Sequence, residues 1–162
     1  MDSVAAAAYG RHVPDPVTDA SPPPWLLRIL DPVLRALLRS RAAPRLSGFA
    51  LLTLSGRRTG RTYQPVVTFH ELDGQVYVVT PSRWRANFTG GAPLRMRHAG
   101  VDVPGTGVLE NDPDVTADVI NRLRAKGEPA RAFALRIPEG HQVTAADVRA
   151  TNRALVRFVP SP

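Results

Sequence analysis

The sequence predicts a mainly β domain of the α+β class, a barrel of antiparallel strands with flanking helices. Three observations predict it. Strand-like apolar runs follow one another from residue 48 to residue 109 with short connections, the spacing of a meander closing on itself. Turn dipeptides, Asp73-Gly74 and Ala99-Gly100, punctuate those runs. Helical periodicity is confined to segments before and after them, which argues against the alternating units of a doubly wound sheet.

The elements follow in chain order. Residues 1–24 are proline-rich without apolar periodicity and read as a loosely draped arm. Residues 25–45 form an amphipathic helical segment, in which Asp31 as N-cap and Pro32 at the first helical position predict a restart: two short helices or one kinked helix. The apolar residues Trp25, Ile29, Leu34, Leu37 and Leu38 alternate with Arg28, Arg35, Arg39 and Arg41. Such a stripe covers the domain's own core or lies on an anionic membrane surface, so residues 25–41 are a candidate peripheral membrane contact.

The barrel is expected within residues 46–160. Its strands are Phe49 to Leu54, Tyr63 to Leu72, Gln75 to Thr80, a run through Leu94, Met96 and His98, and a run from Val101 to Leu109. Asp112 and Pro113 then open a helix with Val115, Val119, Ile120 and Leu123 on one face. Phe133 to Ile137 reads as a strand, Thr144 to Asp147 as a capping box opening a last helix, and Leu155 to Val159 as a closing strand.

Composition excludes several functions. The chain of 162 residues has no cysteine, which removes disulfides, thiolate metal sites and thiol nucleophiles. His12, His70, His98 and His141 form no i, i+3 or i, i+4 pair, so no metal site is expected. Lys126 is the only lysine in a chain of net charge +7, and arginine-rich surfaces favour anionic partners. Aromatics make up 6% and are not interleaved with the arginines, which argues against nucleic acid. No signal peptide is recognisable and no run reaches the ~18–20 apolar residues of a membrane span, so a cytoplasmic protein is expected.

The densest chemical signal is Ser55-Gly56-Arg57-Arg58-Thr59-Gly60-Arg61-Thr62, a turn between two apolar strands. Its glycines permit close backbone approach and positive φ, its arginines can pair with an oxyanion, and Ser55, Thr59 and Thr62 can donate neutral hydrogen bonds. A solvated hairpin loop has the same composition. The spacing is too short for a nucleotide phosphate loop, and Gly105-Thr106-Gly107 extends to no dinucleotide fingerprint. A second cluster, Thr80-Pro81-Ser82-Arg83-Trp84-Arg85-Ala86-Asn87-Phe88, follows a strand end. Trp84 can wall a planar ring there and Asn87 can bond a ring or ribitol oxygen, while Trp84 and Phe88 can equally anchor the segment to the core.

Taken together, Ser55 to Arg61 between strands, the Asp73-Gly74 hairpin, and Trp84-x-x-Asn87 ahead of Gly90-Gly91-x-Pro93 resemble the deazaflavin-dependent nitroreductase family. The resemblance covers residues 46–111 well, 112–160 loosely and the first 45 hardly at all. It implies a split β-barrel of the FMN-binding type that holds the reduced deazaflavin coenzyme F-420, a flavin analogue with a phosphate and a polyglutamate tail. By the resemblance, Ser55 and the loop Gly56, Arg57, Arg58, Thr59 and Gly60 meet the anionic tail. Thr62, Tyr63, Gln64, Pro65 and Val66, with Val79, Thr80, Pro81, Ser82, Arg83, Trp84 and Asn87, line the ring and ribitol. Ser82 is the one candidate proton donor. The implied reaction is hydride transfer to a quinone, nitroaromatic or similar conjugated acceptor.

Three positions depart from the family pattern. Arg58 replaces a lysine, a glycine-rich stretch is shortened to Pro81-Ser82-Arg83, and Phe133 stands near where quinone-reducing relatives carry acceptor-side tyrosines. FMN is the alternative cofactor, and a non-catalytic barrel that binds a flavin, a deazaflavin or a lipid is the alternative function. Monomer and homodimer are both compatible with the sequence.

Overall fold

The computed structural model describes residues 16–162. It contains ten strands, β1 (Thr18–Asp19), β2 (Phe49–Ser55), β3 (Thr62–Tyr63), β4 (Val66–Thr68), β5 (His70–Leu72), β6 (Gln75–Thr80), β7 (Ala92–His98), β8 (Val101–Glu110), β9 (Leu135–Arg136) and β10 (Ala154–Pro160). The helices are α1 (Pro24–Arg39), α2 (Pro113–Ala125) and α3 (Ala145–Ala150). The predicted α+β class, with antiparallel strands dominant and helices on the flanks, is the one observed.

The main sheet runs β3-β2-β7-β8-β10-β6-β5, and β4 also pairs with β2. β4 and β5 are two halves of one extended run that breaks at Phe69. The first half pairs with β2 and the second with β6, which joins the two ends of the sheet into a barrel. The order is not the expected meander. The C-terminal strand β10 inserts between β6 and β8, antiparallel to both. Sequence periodicity gives strand positions but no pairing partners, and this insertion is a long-range event.

Alternation of side chains along the strands divides the core in two. Ala50, Leu52 and Leu54 of β2, Leu94 and Met96 of β7, and Val156 and Phe158 of β10 fill the barrel interior with Phe88. The opposite parity, Tyr77 and Val79 of β6 and Leu155 of β10, faces outward against Ile120 and Leu123 of α2 and Val148 of α3. Phe88 is fully buried, and a Cβ on Gly107 would come within 2.5 Å of its ring. Gly107 is therefore a packing residue, which accounts for the Gly105-Thr106-Gly107 run without any ligand.

Turn chemistry follows the sequence closely. Asp73 and Gly74 both take positive φ (53° and 76°), as do Ala99 and Gly100 (49° and 85°), giving tight two-residue hairpins. Asp112 caps α2 by accepting from the amide of Asp114, and Thr144 and Asp147 form the reciprocal capping box of α3.

Several local expectations are corrected. Of the two alternatives for α1 the single helix, with Pro32 inside it, is the one observed, and Asp31 is not its N-cap: the helix begins after Pro23 and the Asp31 carboxylate pairs with Arg35 one turn on. Val115 is exposed, and Thr116 and Ala117 take its place on the buried face of α2. Phe133 ends a 3-10 turn, so the strand there is only Leu135–Arg136. The part of the proline-rich arm within the described residues is tied down: Val17 is buried and β1 pairs with β9. There the buried Arg153 donates to Asp19 (2.9 Å), Ser21 and the carbonyls of Phe133 and Ala134. Residues 1–15 of that arm lie outside the described residues.

Candidate functional site

The β2–β3 loop is built on two different uses of glycine. Gly56 carries no positive φ, but a Cβ there would lie 2.8 Å from the Tyr63 ring. Gly60 takes φ +65° with open space around it. The amide of Gly60 donates to the carbonyl of Gly56 (2.8 Å), and the amide of Gly56 donates to the carbonyl of Arg61 (2.8 Å), closing a tight loop. Thr59 helps hold it by accepting from the amide of Arg61 (3.3 Å).

That loop is latched to the segment after β6. The amide of Arg57 donates to Oδ1 of Asn87 (2.9 Å) and the Arg57 guanidinium donates to the carbonyl of Thr89 (2.8 Å). Asn87 in turn donates to the carbonyl of Trp84 (2.8 Å) within a 3-10 turn over Arg83–Phe88. Between the two, Gly56, Arg58, Thr59, Tyr63 and Asn87 enclose a hollow of about 420 Å³. No carboxylate pairs with Arg58 among the described residues.

A neighbouring cleft of about 320 Å³ shares Tyr63 with that hollow. Gln64, Pro65 and Val66 form one wall, Ser82 and Trp84 another, and Leu27, Asp31 and Arg35 of α1 the third. Trp84 is half-buried and meets Phe88 edge-on, so it serves both as core anchor and as cleft wall. Nε of Arg35 is buried without a hydrogen-bond partner among the described residues.

The sequence-predicted residues thus separate into groups. Gly56, Arg58, Thr59, Tyr63, Gln64, Pro65, Val66, Ser82, Trp84 and Asn87 line the paired hollows. Arg57 spends its amide and one guanidinium nitrogen on the latch. Ser55 and Thr62 face each other across β2 and β3 and line a different groove with Pro93 and Arg95. Val79 and Thr80 are buried, Val79 in the outer core and Thr80 accepting from the amide of Ser82 (3.1 Å). Arg83 is exposed, and Pro81 offers its carbonyl to Asn152. Phe133 is buried against His70, away from both hollows.

Leu27, Asp31 and Arg35 were not among the site residues expected from sequence. Their signal was present in the i, i+4 spacing of Leu27, Asp31 and Arg35, but which side of the helix meets the barrel is decided by tertiary packing. Among the described residues no group of three or more His, Asp or Glu is placed to hold a metal ion. No helix among them is long and apolar enough to cross a membrane.

No family model and no curated protein matches the chain. Solved structures with a similar chain path include a putative pyridoxamine 5'-phosphate oxidase from Listeria innocua, 11% identical, with a TM-score of 0.45 over 82% of this chain and 94% of that one. A pyridoxamine 5'-phosphate oxidase-related, FMN-binding protein from Nostoc punctiforme PCC 73102 is 17% identical, with a TM-score of 0.48 over 86% of this chain and 82% of that one. An F420 reductase is 15% identical, with a TM-score of 0.43 over 79% and 93%.

Proposed function

We propose that the protein is an oxidoreductase that holds the reduced deazaflavin coenzyme F-420 in the paired hollows and passes hydride to a quinone, nitroaromatic or similar conjugated acceptor. The observation that carries this reading is the latch between Arg57 and Asn87. It brings an unpaired cation, Arg58, next to an aromatic-walled cleft, so that an anionic tail and a planar ring could be held together.

The residues fit such a group on chemical grounds. Arg58 and Thr59 would hold phosphate or carboxylate oxygens, and Tyr63, Pro65 and Trp84 would flank a ring. When bound, the cofactor supplies the hydride, and the chain supplies orientation and exclusion of water. Ser82 lines the cleft, its hydroxyl without a hydrogen-bond partner among the described residues, and would give a proton to an acceptor.

FMN is the second reading, favoured by the use of the Arg57 guanidinium on the carbonyl of Thr89, which leaves Arg58 as the arginine lining the hollow, since FMN carries a phosphate but no polyglutamate tail. A non-catalytic binder is the third, favoured by the burial of Phe133, which leaves the acceptor side without a further aromatic. We further propose that α1 makes peripheral contact with an anionic membrane, on the strength of its exposed Trp25, Ile29, Val33 and Leu37.

Fluorescence titration with F-420 and, separately, with FMN tests the assignment. Tight F-420 binding that is lost in Arg58→Ala supports it, and oxidation of the bound reduced cofactor by a quinone or nitroaromatic makes it an enzyme. Binding without such oxidation leaves the non-catalytic reading. FMN binding alone moves the protein to the flavin reading, and binding of neither rejects the proposal.

A further inference from the structure

On the outer face of the barrel, beside the C-terminal end of α1, lies another cleft of about 610 Å³. Its polar lining is Arg39, Thr53, Gln64, Arg95, Arg97 and Asp102, and Gln64 is the residue it shares with the ring cleft. We propose that this cleft is a binding site for a small dianion, a phosphate monoester or a dicarboxylate, separate from the cofactor hollows and independent of the cofactor reading.

Charge sets the ligand class. Three guanidiniums face one carboxylate, Asp102, which leaves two positive charges uncompensated. Arg97 is held in place by donating to Asp102 (2.6 Å) and to the carbonyl of Leu38 at the end of α1 (3.2 Å). The Arg95 side chain makes no ion pair or hydrogen bond among the described residues, and β2–β7 register sets it directly opposite Thr53.

The neutral groups are already arranged as donors. Arg39 donates to Oε1 of Gln64, and Nε2 of Gln64 donates to the hydroxyl of Thr53 (3.3 Å). Accepting that bond leaves the Thr53 proton free for an incoming oxyanion. This chain also fixes Arg39 toward the cleft, so a ligand finds one guanidinium on the helix and two on the strand. Guanidinium forks match the paired oxygens of carboxylate and phosphate, which selects these anions over a halide.

The test is an amide NMR titration of the full chain at fixed ionic strength, with inorganic phosphate in one arm and succinate in the other. Saturable shifts at Thr53, Gln64, Arg95 and Arg97 are expected, weakened about tenfold in Arg95→Ala, the loss of one charged hydrogen-bonding group, and retained in Arg58→Ala. Saturation by phosphate alone identifies a phosphate monoester site, and saturation by succinate identifies a dicarboxylate site. Because Arg95 is exposed, its removal leaves the fold intact, and an unchanged spectrum elsewhere verifies this. Shifts that never saturate, equal affinity in Arg95→Ala, or a response confined to residues 56–60 would overturn the proposal.

Discussion

The backbone amide of Arg57 donates to the side chain of Asn87 at 2.9 Å, joining two loops thirty positions apart in sequence. Asn87 uses both ends of its amide, since its nitrogen donates to the carbonyl of Trp84. One residue thereby sets the distance between the basic loop and the aromatic wall of the candidate site. Asn87→Ala removes both bonds and should cost about 1–3 kcal/mol of stability. Denaturant unfolding measures that cost. F-420 titration of the still-folded variant should show weaker binding than the wild type although the charge of Arg58 is kept, because loop and wall lose their registry. Unchanged affinity would show that the latch is structural only.

Gly56 and Gly60 should respond differently to the same substitution. Gly60→Ala forces an L-residue to φ +65° and should lower stability by about 1 kcal/mol with the cleft unchanged. Gly56→Ala introduces a methyl 2.8 Å from the Tyr63 ring, which must shift from its place in the walls of both hollows. Cofactor affinity should therefore fall in Gly56→Ala far more than in Gly60→Ala. Thermal melts paired with titrations separate the two, and equal losses of affinity would refute the assigned roles.

Much of this was legible in sequence because it is local. The hairpins at Asp73-Gly74 and Ala99-Gly100, the Asp112 cap and the Thr144–Asp147 box each follow from residues within four positions of one another. What was not legible depends on residues that meet late. The pairing of β10 between β6 and β8 turned a meander into an interleaved barrel. Arg57 looked like an anion ligand by type, yet its amide and guanidinium bond Asn87 and Thr89. Val79 reads as a cleft residue by position in its segment, but strand alternation points it into the outer core. The arm near Val17 carried no periodic signal because two residues of strand and one buried valine are too few to make one.

α1 exposes Trp25 (63%), Ile29 (61%) and Val33 (53%) along one side, each one turn from the next. With Arg28 close by, this side should insert shallowly into a bilayer of anionic lipid. The double variant Trp25→Ser, Ile29→Ser should keep its thermal stability, because neither side chain is buried. It should bind phosphatidylserine vesicles at least about tenfold more weakly, the scale set by withdrawing two large apolar side chains from lipid contact. Vesicle sedimentation measures it. Wild-type protein that stays in the supernatant, or a double variant that binds equally well, would reject membrane contact through this face.

His70 should make stability depend on pH. The residue is 3% exposed, its ring packs on Phe133, and neither nitrogen has a hydrogen-bond partner within 3.5 Å among the described residues. Burial lowers its pKa from the ordinary 6.5, while Glu128, whose Oε1 lies 3.7 Å from Nδ1, and the backbone at Ala132 pull the other way. The unfolded chain therefore takes up the proton first. As pH falls below 6.5, unfolding should become easier by about 1.4 kcal/mol for each unit crossed until the lowered folded pKa is reached. His70→Leu should remove this part of the decline, whatever its own effect on stability at neutral pH. Glu128→Gln should enlarge the decline, since the group opposing the shift is gone. Unfolding free energies measured from pH 7.5 to 5 decide the matter. A wild-type curve that is flat over that interval, or parallel to that of His70→Leu, would mean that the buried imidazole is not the titrating group.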